Sequence, residues 1–204
     1  MAEATVAAGG AWRGIDELDR LVGAYCWVEH RIFELTGAWA SAHCDGAAAE
    51  TESAAGLEAE RRVWCAAVSG HHGTLAGCWA ERLPVRAGVD RAALVTAPDG
   101  PLAGALDALG AEPDLGAGVA ALVQTLLPRL EATYLAHLRA ATAVSEAPVM
   151  EVLAGAQRLL AGEIRGGRPL VEGFGTQPEP GARLGELFEQ AFEQSSIFPA
   201  VRPS

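Results

Sequence analysis

The 204-residue chain contains no lysine and no asparagine, and all fifteen of its basic residues are arginine. Without lysine, the chain can form no internal Schiff base with pyridoxal phosphate and can hold no P-loop lysine. Without asparagine, it offers no acceptor for N-glycosylation. These two absences exclude several classes of chemistry before any fold is considered.

Long apolar runs and a basic leader are missing as well. The first residues, MAEATVAAGGAWRG, predict no signal peptide. No stretch of about 18 residues is apolar and free of charge, so we expect no membrane span. The formal net charge of -11 argues against nucleic acid and anionic membranes as partners. We therefore expect an acidic, cytoplasmic, bacterial-type protein that takes a small-molecule substrate, and we leave open whether it forms a homodimer.

The four cysteines form no C-x-x-C pair, and they are Cys26, Cys44, Cys65 and Cys78. In a cytoplasmic protein such cysteines are usually reduced residues of the core. Half of the residues are hydrophobic. A chain of this length and composition can bury a full core, so a single domain is the simplest interpretation.

Apolar residues recur at steps of three and four along most of the chain, which is the repeat of one face of an α-helix. No segment shows the period-two alternation of a strand. The sequence predicts four long helices and two short ones, over about 15–44, 57–84, 101–110, 114–143, 148–165 and 182–194. A proline interrupts a helix interior, so we expect a kink or break at Pro128. The predicted fold is an all-α four-helix bundle with a long crossover between the second and third long helices.

Composition divides the chain into three predicted regions. Residues 1–13 form a flexible N-terminus, and residues 14–172 form the helical bundle. Residues 173–204 hold a loop rich in Gly and Pro, followed by an amphipathic segment whose apolar face would pack on the bundle or on a partner.

Polar side chains interrupt the inner faces of three predicted helices. Glu29 lies on the first, His71 on the second beside His72, and His137 on the third, close to Tyr134. Bundle helices turn these faces toward one another, so we predict that the side chains meet in the core. We expect one of the two adjacent histidines to face away. Tyr25, Glu60 and Glu131 are neighbours that could join the cluster.

Three segments resemble a group of bacterial ferritin-like proteins, namely WVEHRIFELTGAWA at 27–40, HHGTLAGCWAERLP at 71–84 and LPRLEATYLAHL at 127–138. In that group the second helix typically reads His-His-x-x-His-x-Glu-x-Trp before Arg-Leu-Pro. This chain has Leu75 and Gly77 where the third His and the Glu would stand. The resemblance implies a ferritin-like bundle with a degenerate metal site, not a classical di-iron oxidase.

Two functions are compatible with this pattern. The first is a small-molecule, biosynthetic or tailoring enzyme, with catalytic candidates Glu29, His71, His72, His137 and Tyr134. In it, Glu29 would be a general acid or base, and the cofactor would be either none or a single non-haem metal ion whose ligands the sequence does not assign. The alternative is a non-catalytic ferritin-like protein that binds a ligand or serves as a partner subunit.

Overall fold

The computed structural model describes residues 13–42, 52–98, 100–171 and 180–195. Within these ranges there are helices and connecting turns but no strand, which confirms the all-α class. None of the described helices has the length and apolar character needed to cross a membrane. The helices are α1 (Ile15–Ser41), α2 (Glu52–Arg82), α3 (Arg91–Leu94), α4 (Gly100–Gly110), α5 (Leu115–Ala121), α6 (Leu127–Ala140), α7 (Ala143–Val171) and α8 (Pro180–Gln194).

A π-helical segment, Leu122–Leu126, joins α5 to α6 and precedes Pro128. Proline has no N–H and crowds the carbonyl four residues earlier, and the wider π turn is a known local adjustment within a helix. The interruption expected at Pro128 is therefore a π turn inside a helical run from 115 to 140. The fourth predicted helix is longer than expected, because α7 continues through both Pro148 and Pro169.

Helix packing places the polar residues of interest between long helices. α1 packs along α2, and α7 contacts both α6 and α2. α8 packs against α4 and α5 of the same chain, with Leu184, Phe188 and Phe192 buried in the core. The C-terminal amphipathic segment thus covers its own bundle, which is one of the two arrangements that the sequence left open. Residues 1–12, 172–179 and 196–204 lie outside the described ranges.

The inner face of α2 agrees only in part with the apolar repeat of its sequence, in which Arg61, Val68 and Leu75 follow one another at steps of seven and are buried. The same repeat runs through Trp64 and His71, whereas the structure completely buries the next residues, Cys65 and His72, together with Trp79. The side chain of His71 is 49% exposed. The small residues of α2, which are Ala, Gly and Cys, lie on several sides of the helix. The pattern of polar and apolar residues therefore does not define its inner face.

The inner face of α1 agrees better with its pattern. Tyr25, Glu29, Ile32 and Thr36 follow one another at steps of three and four in the sequence, and all four are buried, as this repeat predicts. The same repeat begins at Ile15, but Ile15 is 63% exposed, because it lies in the first turn of the helix, beyond the packed interior. His43, at the predicted end of the line, lies outside the described residues.

Candidate functional site

A buried imidazole lies between two carboxylates at the centre of the molecule. His72 Nδ1 contacts Glu29 Oε2, and His72 Nε2 lies 3.2 Å from Glu163 Oε2. Glu29 and His72 have no exposed surface, and Glu163 is 6% exposed. These residues come from α1, α2 and α7, so this cluster exists only when the three helices pack together.

The two adjacent histidines bind the same carboxylate. His71 Nδ1 lies 3.0 Å from Glu163 Oε1, while His72 contacts the other oxygen. The expectation that one histidine faces away is therefore wrong. The two histidines lie at the edge of the contact between α2 and α7, with the ring of His72 buried and the ring of His71 half-exposed. Both rings reach Glu163 on α7. His71 Nε2 has no hydrogen-bond partner among the described residues.

Tyr134 closes the buried end of this cluster. Its hydroxyl donates a hydrogen bond of 2.5 Å to Glu29 Oε1. Its ring packs edge-on against Tyr25 with a centroid separation of 4.9 Å, and Trp79 packs against both rings. Burial and the negative charge of Glu29 hold the pKa of Tyr134 well above its usual value, so this hydroxyl stays protonated.

A second polar cluster lies on the other side of the two tyrosine rings. His137 Nδ1 is 3.0 Å from the Tyr25 hydroxyl, and His137 Nε2 is 2.8 Å from Glu146 Oε2. Arg13 approaches the same Glu146 oxygen at 3.4 Å. Glu146 Oε1 is buried and has no hydrogen-bond partner among the described residues. His137 is thus a neighbour of the Glu29 cluster but does not touch it.

The two buried histidines have opposite pKa shifts. Burial lowers the pKa of His72, but the charge of Glu29 and the hydrogen bonds to Glu163 and Glu29 together raise it to about 10. Burial also lowers the pKa of His137, and there the hydrogen bond to Glu146 does not restore it. At neutral pH, His72 is therefore an imidazolium between two carboxylates, whereas His137 is a neutral imidazole.

A surface groove between α2 and α7 leads to the first cluster. One cavity of about 260 Å³ is lined by His71, Glu163, Arg158 and Trp64 among others. An adjoining cavity of about 520 Å³ is lined by mostly apolar residues of the same two helices. Glu29 lines neither cavity. A molecule bound in this groove would contact His71 and Glu163, whereas His72 would separate it from Glu29.

The arrangement does not fit a metal ion held by this cluster. Both nitrogens of His72 are hydrogen-bonded to carboxylates, so the ring separates Glu29 from Glu163 instead of presenting a lone pair beside them. Across the described ranges, no group of three or more His, Cys, Asp or Glu side chains could hold a metal ion. Leu75 is buried and offers no ligand atom at the position where the ferritin-like pattern has a third His.

The chain matches no protein-family model, no curated protein and no solved structure. The ferritin-like resemblance therefore stays a prediction, and the function has to be argued from the geometry of the clusters.

Four of the five predicted site residues lie together, namely Glu29, His71, His72 and Tyr134. Sequence reasoning missed the roles of the two carboxylates that α7 supplies. Glu163 lies within the fourth predicted helix, but nothing in the sequence linked it to the histidines. Glu146 precedes residue 148, where that helix was expected to begin, and its position in the first turn of α7 gave no signal.

Proposed function

We propose that this protein is an acid–base enzyme that moves a proton to or from a small molecule bound between α2 and α7, without a metal in the reacting cluster. One observation carries the proposal. The carboxylate of Glu163 is shared by His71, which lines the groove, and by His72, which is completely buried. A half-exposed imidazole oriented by a buried carboxylate is a common design for a general base.

In this proposal His71 is the residue that contacts the substrate. A hydrogen bond from His71 Nδ1–H to Glu163 Oε1 fixes the tautomer in which Nε2 is the basic atom. Nε2 takes a proton from a C–H or O–H group of the substrate, and the resulting imidazolium is stabilised by the Glu163 carboxylate. The proton then returns from Nε2 to the same or another atom of the substrate, either directly or after it has exchanged with a solvent proton on the ring, and the ring is neutral again.

The buried residues keep Glu163 in place. His72 donates to the second oxygen of Glu163, and Glu29 and Tyr134 hold His72 from behind. Because both oxygens of Glu163 are hydrogen-bonded, its side chain has little freedom to rotate. A fixed orienting group reduces the reorganisation that accompanies charge formation on His71.

The ferritin-like bundle is our architectural hypothesis for this site. It is supported by four long helical runs, α1, α2, 115–140 and α7, that enclose a carboxylate–imidazole cluster. A cytoplasmic location and a homodimer remain predictions from the sequence.

Solvent deuterium exchange tests the proposed activity. The protein is incubated in D₂O with a panel of small carbonyl and hydroxy compounds, and mass spectrometry follows deuterium uptake or conversion. We expect activity with the wild type and a loss of about 10² to 10⁴-fold in His71→Gln and Glu163→Gln. Glu81→Gln is the control, since Glu81 is an exposed residue of α2 that pairs with Arg82 and lines neither cavity. No exchange by the wild type on any compound, or equal exchange by His71→Gln, would contradict the proposal.

A second candidate function is a ligand-binding module without chemistry. The larger cavity favours it, because its lining is mostly apolar and its volume of about 520 Å³ is typical of small-molecule sites. In that case the ligand would bind equally well to the wild type and to His71→Gln, and neither protein would convert it chemically.

A further inference from the structure

The two cavities form one continuous groove. They share Trp64, Ala67 and Gly166 in their linings. Along the groove the lining positions rise from Ala59 to His71 on α2 and fall from Leu170 to Arg158 on α7, so the two helices run antiparallel beside it. Twelve residues of helical rise separate Ala59 from His71, which gives the groove a length of about 18 Å.

Small residues open this groove. Ala59, Ala67, Gly162 and Gly166 line it where larger side chains would fill the space between two helices. A Cβ atom added to Gly162 would meet nothing within 4 Å. At the neighbouring Gly167, by contrast, an added Cβ would clash with Val123 and lie 3.0 Å from Trp64 Cζ2, so glycine is what lets the Trp64 ring rest against α7.

The two ends of the groove differ in charge. Arg158 lies at the end that holds His71, and it makes no ion pair within the described part of the chain. Glu163 lines this end as well, but its side chain is only 4% exposed and its two oxygens are hydrogen-bonded to His71 and His72. Glu60 lies at the opposite end and disfavours an anion there. Between these ends the lining includes Val63, which is 72% exposed, and the half-buried Trp64. The groove is therefore apolar along its length and offers a free cation only beside the reacting histidine.

We infer that the substrate is an elongated apolar molecule with one anionic end group, a carboxylate or a phosphate, which binds with that group at Arg158 and its apolar body along Trp64 toward Leu170. This inference rests on the proposed function, since it takes His71 as the reacting group next to the anionic end. Arginine suits both anions because its guanidinium binds either through two parallel hydrogen bonds. The apolar body supplies binding free energy through buried area, and the charge sets the direction of binding.

Isothermal titration with three twelve-carbon probes tests the inference. The probes are dodecanoate, dodecyl phosphate and the uncharged dodecanol, each used below its aggregation concentration on the full-length protein. We expect at least one anionic probe to bind, and we expect Gly162→Leu to weaken it by about tenfold or more, because the new side chain fills the groove. Arg158→Gln should weaken the anionic probe by a similar factor and leave dodecanol unchanged. The anionic probe that binds more tightly identifies the end group.

Gly77→Leu is the matched control for the groove-filling variant. Gly77 is an exposed glycine of α2, and an added Cβ there also meets nothing within 4 Å, but it lines neither cavity. Its binding should equal that of the wild type. Equal binding by wild type and Gly162→Leu, or no binding of either anion, overturns the inference.

The outcomes separate this inference from the proposed function. Loss of binding in Gly162→Leu together with proton exchange that depends on His71 supports both. Binding without any exchange keeps the ligand class and removes the chemistry, whereas exchange on compounds that do not occupy the groove removes the ligand class alone. If light scattering shows a dimer that Gly162→Leu converts to monomers, a second copy covers the groove and the inference is wrong.

Discussion

Two buried histidines of this protein have similar partners and opposite charge states. His72 lies between two carboxylates, whereas His137 lies between one carboxylate and a tyrosine hydroxyl. Arg13 near Glu146 further disfavours a second positive charge at His137. The comparison shows that burial keeps a histidine neutral when it faces one carboxylate. Two carboxylates together outweigh the effect of burial and keep the ring charged.

The largest effect is expected when one anion is removed from the first cluster. Glu29→Ala leaves the His72 imidazolium with a single carboxylate and leaves the Tyr134 hydroxyl without its acceptor. Breaking a buried ion pair from one side costs about 3–5 kcal/mol, so we expect the free energy of unfolding to fall by that amount. Urea unfolding followed by circular dichroism measures it.

Glu34→Ala is the control for this prediction. Glu34 is on the same helix, but its side chain is 43% exposed and pairs with Arg31 at the surface. Its loss should change the free energy of unfolding by less than about 1 kcal/mol. A Glu29→Ala variant as stable as Glu34→Ala would mean that His72 is not charged in the folded protein.

Alkaline pH should weaken the first cluster without touching the second. The pKa of His72 is raised in the folded protein from 6.5 to about 10, so its contribution to stability is fully present below pH 6.5 and is lost as the pH rises toward 10. The free energy of unfolding should therefore fall with a slope of up to about 1.4 kcal/mol per pH unit. The measurement is a series of urea titrations from pH 6.5 to 8.5, a range in which tyrosines do not titrate.

His72→Gln provides the reference for this slope. It lacks the titrating group and should be less stable than the wild type at pH 6.5, with the difference shrinking toward pH 8.5. Parallel curves for the two proteins across this range would show that Glu29 and Glu163 do not hold a proton on His72.

The two tyrosines allow a smaller and more local comparison. Tyr134 donates to the carboxylate Glu29, while Tyr25 contacts the neutral ring of His137. A hydrogen bond to a charged group contributes about 1.5–3 kcal/mol, against about 0.5–1.5 kcal/mol for a neutral one. Tyr134→Phe should therefore destabilise the protein more than Tyr25→Phe, as measured by thermal and urea unfolding. The reverse order would indicate that Glu146 leaves His137 charged.

The sequence predicted the helices and most of their inner faces because apolar spacing is a local property. Glu29 and His137 interrupt clear apolar lines, so their burial could be read from neighbours three and four residues away. His72 could not be distinguished from His71 in this way, because α2 has small residues on several sides. Glu163 and Glu146 could not be identified because their partners lie on other helices. A local sequence pattern does not show which helices become neighbours. The groove could not be predicted from the sequence either, because it forms where glycines of α7 face alanines of α2.

The smallest predicted effect concerns the second cluster in acid. Burial lowers the pKa of His137 in the folded protein, so its contribution to stability is present above pH 6.5 and is lost as the pH falls below that value, where the unfolded chain binds the proton first. His137→Gln keeps a donor for Glu146 but cannot be protonated, so its free energy of unfolding should fall less steeply than that of the wild type between pH 6.5 and 5. The difference in slope should stay below about 1.4 kcal/mol per pH unit, the limit for one proton. If the wild type instead becomes more stable than His137→Gln as the pH falls, the Glu146 carboxylate stabilises the imidazolium form of His137 in the folded protein. The two histidines would then have the same charge state.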